Sequence, residues 1–211
     1  MILLSHRGLW HNKDEKNSFS SFEKSFKLGF GTETDIRDFK GELVISHDIA
    51  HAGCLKLEDF LKLYTSINPH LFLALNIKAD GLQSSLKTLL EHYNIKNYFV
   101  FDMSVPDALM YLKAGIKSFT RQSEYEKEPS FYELACGIWL DEFHSHWINK
   151  NIIQEHLAKN KFVCIVSPDL HQREYLQSWQ EYKLIAKELK SDKLMLCTDH
   201  ILEAREFFDE N

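Results

Sequence analysis

Residues 31–48 read GTETDIRDFKGELVISHD, and the spacing of their acids decides how the rest of the chain is read. Glu33 and Asp35 lie two apart in a segment of strand character. Because strand side chains alternate between faces, both carboxylates are expected to point the same way. Like charges that close repel, and a shared proton, flanking cations or a divalent metal are the usual means of holding them together. A metal is the first reading. Lys40-Gly41 reads as a turn, after which the apolar run Leu43-Val44-Ile45 leads to Ser46-His47-Asp48. A β-hairpin excursion of this kind returns an imidazole toward the strand that carries the acids. The competing reading is a surface hairpin with both acids solvated and His47 incidental.

Upstream, Ile2-Leu3-Leu4 is a short apolar run without alternation, as expected of a strand buried on both sides, and it ends at Ser5-His6-Arg7-Gly8. Asn17 or Ser18 can cap a helix that carries Phe19, Phe22 and Phe26 on one face and stops near Gly29. The opening is therefore strand, helix, strand.

The same beat repeats downstream. Leu57 to Tyr64 has helical spacing, Leu71 to Ile77 is an apolar strand carrying Asn76 and followed by Lys78, and Leu82 to Tyr93 is a helix. Tyr98 to Phe101 is a strand followed by Asp102. Ser104 caps the next helix, with Pro106 in its first turn and Gly115 at its end. Lys117 to Thr120 leads to Arg121, Gly137 to Leu140 leads to Asp141, and Phe162 to Val166 is the most strand-like run of all. Helices are expected over about 149–159 and 173–189. Leu194 to Cys197 then leads to Thr198-Asp199-His200 and a last helix. The irregular connection lies over residues 124–132.

Eight non-alternating apolar strands interleaved with helices predict an α/β fold, a (β/α)8 TIM barrel with a small β-hairpin excursion after strand 2. His6, Glu33, Asp35, Asn76, Lys78, Asp102, Arg121, Asp141 and Asp199 all fall at or just past the C-terminal ends of these strands, where barrel active sites form. An open doubly wound sheet is the alternative, and it would want a Gly-rich phosphate loop that the sequence does not contain.

Length and composition agree. At 211 residues the chain suits one large domain spanning 1–211, and 44% hydrophobic residues with 15 Phe supply its core. A formal net charge of −6 leaves no basic stripe for a phosphate backbone and argues against nucleic acid as the partner. The four cysteines lack C-x-x-C spacing, so reduced thiols are expected. The N-terminus lacks a basic segment and a long apolar run, and no stretch reaches transmembrane length, which predicts a cytoplasmic protein. Trp179 and Phe207 read as exposed aromatics on the last two helices.

The motifs His6-Arg7-Gly8, Asn17-Ser18 with Phe22, Glu33-x-Asp35 and Gly41-x-x-Val44-x-x-His47-Asp48 resemble, in order and spacing, those of the glycerophosphodiester phosphodiesterases. The likeness is sharp over residues 3–48 and positional beyond. It implies a barrel that hydrolyses a small phosphodiester with a divalent cation, Mg2+ or Ca2+, and a pair of histidines. His6 and His47 are then the catalytic pair, Glu33 and Asp35 the metal ligands, and Arg7, Lys78 and Arg121 the contacts to phosphate. The chain departs from the family at Asn76, which stands where the third metal ligand is a Glu, and at Lys16, which stands where a Glu precedes the Asn. A neutral Asn oxygen weakens a magnesium site and keeps calcium in play, with Asp102 or Asp141 as additional ligands.

The chemistry needs such groups whatever the family. A phosphodiester repels nucleophiles, so cations must neutralise its oxygens, while one group removes a proton and another returns one. Two imidazoles titrating near neutrality suit that division. A catalytically silent barrel that binds a phosphorylated ligand is the alternative, motivated by Asn76. A metal-dependent sugar isomerase or lyase is a third reading that the acid pair permits and Arg7 and Lys78 disfavour.

Overall fold

The computed structural model describes residues 1–209. The backbone groups into two compact units, Ser5–Ser118 and a second formed by Met1–Leu4 with the chain from Phe119 onward. Ten strands and seven α-helices lie among the described residues.

The unit Ser5–Ser118 takes in the end of β1 (Ile2–His6), then α1 (Phe19–Lys27), β2 (Gly31–Phe39), β3 (Glu42–Ile45), β4 (Leu55–Lys56), α2 (Leu57–Ile67), β5 (Leu73–Ile77), α3 (Gln83–His92), β6 (Tyr98–Phe101) and α4 (Val105–Lys113). Strands β2, β5 and β6 pair in parallel, with Asp35 beside Asn76 and Asn76 beside Phe101. From Ile36, which still pairs with Ile77 of β5, to Phe39 the strand also pairs antiparallel with β3, Ile36 opposite Ile45 and Phe39 opposite Glu42. This is the expected excursion, and Lys40 and Gly41 turn it with positive φ at both residues.

Ser18 is the cap of α1 and accepts from the Ser21 backbone, which leaves Asn17 for another task. Phe22 and Phe26 are buried and meet Phe60 and Tyr64 of α2 edge-on, at ring separations of 4.7 and 5.5 Å. Phe19, expected on the same face, is 47% exposed. It occupies the first helical position, where the chain has only begun to turn toward the sheet.

The second unit carries β7 (Phe119–Ser123), β8 (Gly137–Asp141), α5 (Lys150–Ala158), β9 (Phe162–Val166), α6 (Leu176–Leu189), β10 (Leu194–Thr198) and α7 (Ile201–Asp209). Strands β7 to β10 pair in sequence order, all parallel. Three expectations shift. β7 begins at Phe119 rather than Lys117, since Ser118 makes only an isolated bridge with Val100, so Arg121 lies inside the strand rather than past its end. The helix expected from Arg173 begins at Leu176, after a short 3-10 turn over Pro168–His171. Trp179 is fully buried, with its indole N–H donating to Ser167 at 2.8 Å and its ring against Phe207.

The connection from β7 to β8 contains no helix. Polar bonds close it instead. Lys161, itself 8% exposed, donates to the carbonyls of Glu133 and Ala135. The Gln122 amide donates to the Lys127 carbonyl, so its oxygen faces His156 Nε2 at 3.0 Å, and His156 Nδ1 accepts from the Tyr132 hydroxyl at 2.7 Å.

Burial depresses the His156 pKa below its ordinary 6.5. A base whose folded pKa is lowered binds fewer protons than in the unfolded chain, so its contribution to stability is present above pH 6.5 and is lost as pH falls through the folded value. Thermal midpoints measured from pH 8 to 5 should drop below neutrality, and His156→Gln should flatten that drop. An unchanged slope in the variant would assign the acid sensitivity to other groups.

Candidate active site

Glu33 and Asp35 are 2% and 0% exposed, so the acids of β2 are turned inward and not into water. The strands on either side dictate this. Parallel pairing with β5 puts Asp35 against Asn76, which is 7% exposed, and alternation places Glu33 on the same face as Asp35.

Cations and one imidazole stand around the pair. The Arg7 backbone N–H donates to the Glu33 carbonyl at 3.0 Å, which fixes the end of β1 to β2. Arg7 Nε lies 2.8 Å from Asp35 Oδ2, yet its N–H is not aimed along that line, so the contact is an ion pair and not a hydrogen bond. Lys78 Nζ sits 3.6 Å from both Asp35 Oδ1 and Asp102 Oδ2. His6 Nε2 is 3.8 Å from Glu33 Oε2. The Trp10 indole donates to the His6 carbonyl at 3.1 Å, and the Lys16 ammonium stands 4.2 Å over the Trp10 ring.

Asn17, which the sequence offers as a cap and within the Asn17-Ser18 motif, holds Asp35. Its amide donates to Asp35 Oδ2 at 2.9 Å and its oxygen accepts from Thr34 at 2.8 Å. Asn17, Arg7 and Asp102 all hold left-handed backbone, with φ of 58°, 62° and 70°. For residues with a Cβ that conformation is costly, and such strain concentrates at functional sites.

Three buried oxygens in this cluster have no hydrogen-bond partner among the described residues: Glu33 Oε2, Asp35 Oδ1 and Asn76 Oδ1. They belong to the three residues expected to hold a metal. Buried polar atoms are nearly always partnered, so three orphans from one face of two paired strands fit a cation with oxygen ligands. Among the described residues no three His, Cys, Asp or Glu side chains gather to hold a metal ion, and the set here is two carboxylates and one amide. The electrostatics agree. Burial, followed by the neighbouring Asp35 charge, pushes the Glu33 pKa up to about 8, with Arg7, Lys78 and the Asn76 amide pulling in the other direction.

His47 lies two residues past β3. The Ser46 backbone N–H donates to the Asp35 carbonyl at 3.0 Å, which ties the start of its loop to the acidic strand. Its imidazole is half exposed, with Nδ1 2.9 Å from Asp48 Oδ1. Arg37, which sequence reading passed over, donates from Nε and one terminal nitrogen to the His47 carbonyl at 3.2 and 3.1 Å. The signal was available: Arg37 follows Asp35 by two, on the same face of β2 as both acids.

The remaining candidates lie in the second unit, each with a partner there. Arg121 is ion-paired with Glu126, and Asp141 meets His171 Nε2 at 2.6 Å. Glu142, fully buried and absent from the expectations, accepts the backbone N–H groups of Trp147 and Ile148 and so shapes the loop after β8.

No family model matches the chain, and no curated protein matches it in sequence. Solved structures do match. A glycerophosphodiester phosphodiesterase from Agrobacterium tumefaciens superposes with a TM-score of 0.66 at 13% identity, over 99% of this chain and 98% of that one. The fold is that of the glycerophosphodiester phosphodiesterase barrels. A phosphodiesterase from Oleispira antarctica, solved with its product sn-glycerol-3-phosphate, gives 0.70 at 13% identity over 100% and 97% of the two chains. A Ca2+-dependent phosphatidylinositol-specific phospholipase C from Streptomyces antibioticus gives 0.57 at 7% identity over 98% and 96%. The (β/α)8 expectation from strand order is thus met, with the hairpin after the second strand where it was expected.

An acid whose folded pKa is raised holds its proton longer in the fold than in the unfolded chain, so stability present at pH 4.5 and below is lost as pH rises through about 8. In EDTA the thermal midpoint should carry a component that falls between pH 5 and 8, and millimolar Ca2+ or Mg2+ should remove it. Glu33→Gln should remove it without metal.

Proposed function

We propose that the chain is a metal-dependent phosphodiesterase acting on a glycerophosphodiester or a related small phosphodiester, working as one catalytic domain. The observation that carries this reading is the trio of orphaned oxygens on Glu33, Asp35 and Asn76, with His6 3.8 Å from one of them and Arg7 and Lys78 against another residue of the set. The likeness to the barrels of phosphodiesterases supports it.

A divalent cation, Mg2+ or Ca2+, bound by Glu33, Asp35 and Asn76 would supply positive charge to the phosphoryl oxygens. Arg7 and Lys78 add fixed cations beside it, and we retain Arg121 as a further phosphate contact. Asp102 takes part through the Lys78 ammonium that it shares with Asp35, and Asp141 is engaged by His171. His6 and His47 divide the proton transfers. For a glycerol headgroup, one imidazole takes the proton of the hydroxyl neighbouring the ester, whose oxygen attacks phosphorus. The other imidazolium gives a proton to the departing alkoxide, leaving a cyclic phosphate. Water then opens the ring with the two roles reversed, which restores both histidines.

No helix among the described residues is long and apolar enough to cross a membrane, and all four cysteines are free thiols. The thiols favour a reducing compartment, and we place the enzyme in the cytoplasm on that ground.

Hydrolysis of bis(p-nitrophenyl) phosphate and of glycerophosphocholine should require added Mg2+, Ca2+ or Mn2+ and cease in EDTA. His6→Ala and His47→Ala should each lower kcat by about 10²–10⁴-fold. Turnover that survives chelation and both substitutions would sink the proposal. Thermal stabilisation by glycerol phosphate without turnover would replace it with a binding protein.

A further inference from the structure

We propose that Arg37 is a positioning residue that sets the place of His47 relative to the metal ligands, an inference that rests on the catalytic reading of His47 above. His47 sits at the root of an irregular loop between β3 and β4, and its neighbours Asp48, Ile49 and residues 51–53 are exposed, Ile49 at 88%. The imidazole itself is half exposed and meets Asp48 of the same loop, so its place is indexed through the backbone at the root. Two contacts tie its root down: the Ser46 N–H on the Asp35 carbonyl, and the forked guanidinium of Arg37 on the carbonyl of His47 itself. Within the loop, the Ser46 hydroxyl closes on the Asp48 carbonyl at 2.9 Å and the Gly53 N–H on His51 Nδ1 at 3.1 Å.

The position of Arg37 makes this tie useful. It lies on β2, two residues beyond Asp35 and four beyond Glu33, with all three on one face. The strand that carries the ligands thereby carries the clamp on the imidazole as well. Bidentate donation from a planar guanidinium fixes direction as well as distance, which one lysine ammonium cannot do. A misplacement of about 1 Å in a catalytic group costs on the order of 10²-fold in rate.

The test is a double-mutant cycle on the full chain with glycerophosphocholine and saturating divalent ion. Arg37→Ala should lower kcat about 10–100-fold with KM and calorimetric Ca2+ affinity near wild type. Arg37→Lys should recover part of the loss. In the His47→Ala background, Arg37→Ala should cost nothing further, because its effect runs through the imidazole. Equal losses in both backgrounds, loss of Ca2+ affinity, or an unaltered kcat would each overturn the proposal. A readout independent of turnover is the ring cross-peaks of His47 in a 1H–15N spectrum, assigned by their absence in His47→Ala. They should shift in Arg37→Ala while those of His156 hold still, and coincidence with wild type would refute the clamp. An inactive wild type whose His47 peaks do shift would refute the phosphodiesterase reading alone.

Discussion

Two carboxylates side by side, out of water, are the constraint from which the site follows. Burying even one carboxylate costs several kcal/mol unless charge and hydrogen bonds compensate it. Asp35 has an arginine, a lysine and an asparagine amide around it; Glu33 has less, and its proton affinity rises accordingly. The compensation is partial: β5 presents Asn76, and Lys78 follows just past its end, which together do not supply a donor for every oxygen. What the protein leaves unmet are the oxygens of Glu33, Asp35 and Asn76, and the parallel register sets Asp35 against Asn76.

Much of this was legible in the chain. Apolar runs followed by polar residues, alternating with helices, marked the parallel strands to within three residues, and the Lys40-Gly41 turn marked the excursion. The period-two spacing of Glu33 and Asp35 predicted a shared face, and burial on that face followed from the apolar strand next to them. Such readings succeed because alternation and turn chemistry are local properties of the backbone.

Other features depend on partners distant in sequence. Trp179 reads as a surface aromatic until Ser167 satisfies its indole and Phe207 covers its ring. Arg121 falls within β7 because pairing with β8 extends that strand through Gln122 and Ser123, whose polarity suggested a loop. Asn17 looks like a cap from its place before a helix, yet Ser18 takes that task and frees Asn17 to hold Asp35. In each case a tertiary bond outvoted a local preference.

The left-handed backbone at Arg7, Asn17 and Asp102 carries a consequence for how this protein can change. At each of these positions glycine would relax the main chain. Glycine would also delete the guanidinium, amide or carboxylate that the conformation presents to the acids or to Lys78. Main-chain ease and charge compensation are therefore opposed at the same three residues. A change to glycine at any of them exchanges backbone strain for a buried acid or an ammonium with one counter-group fewer.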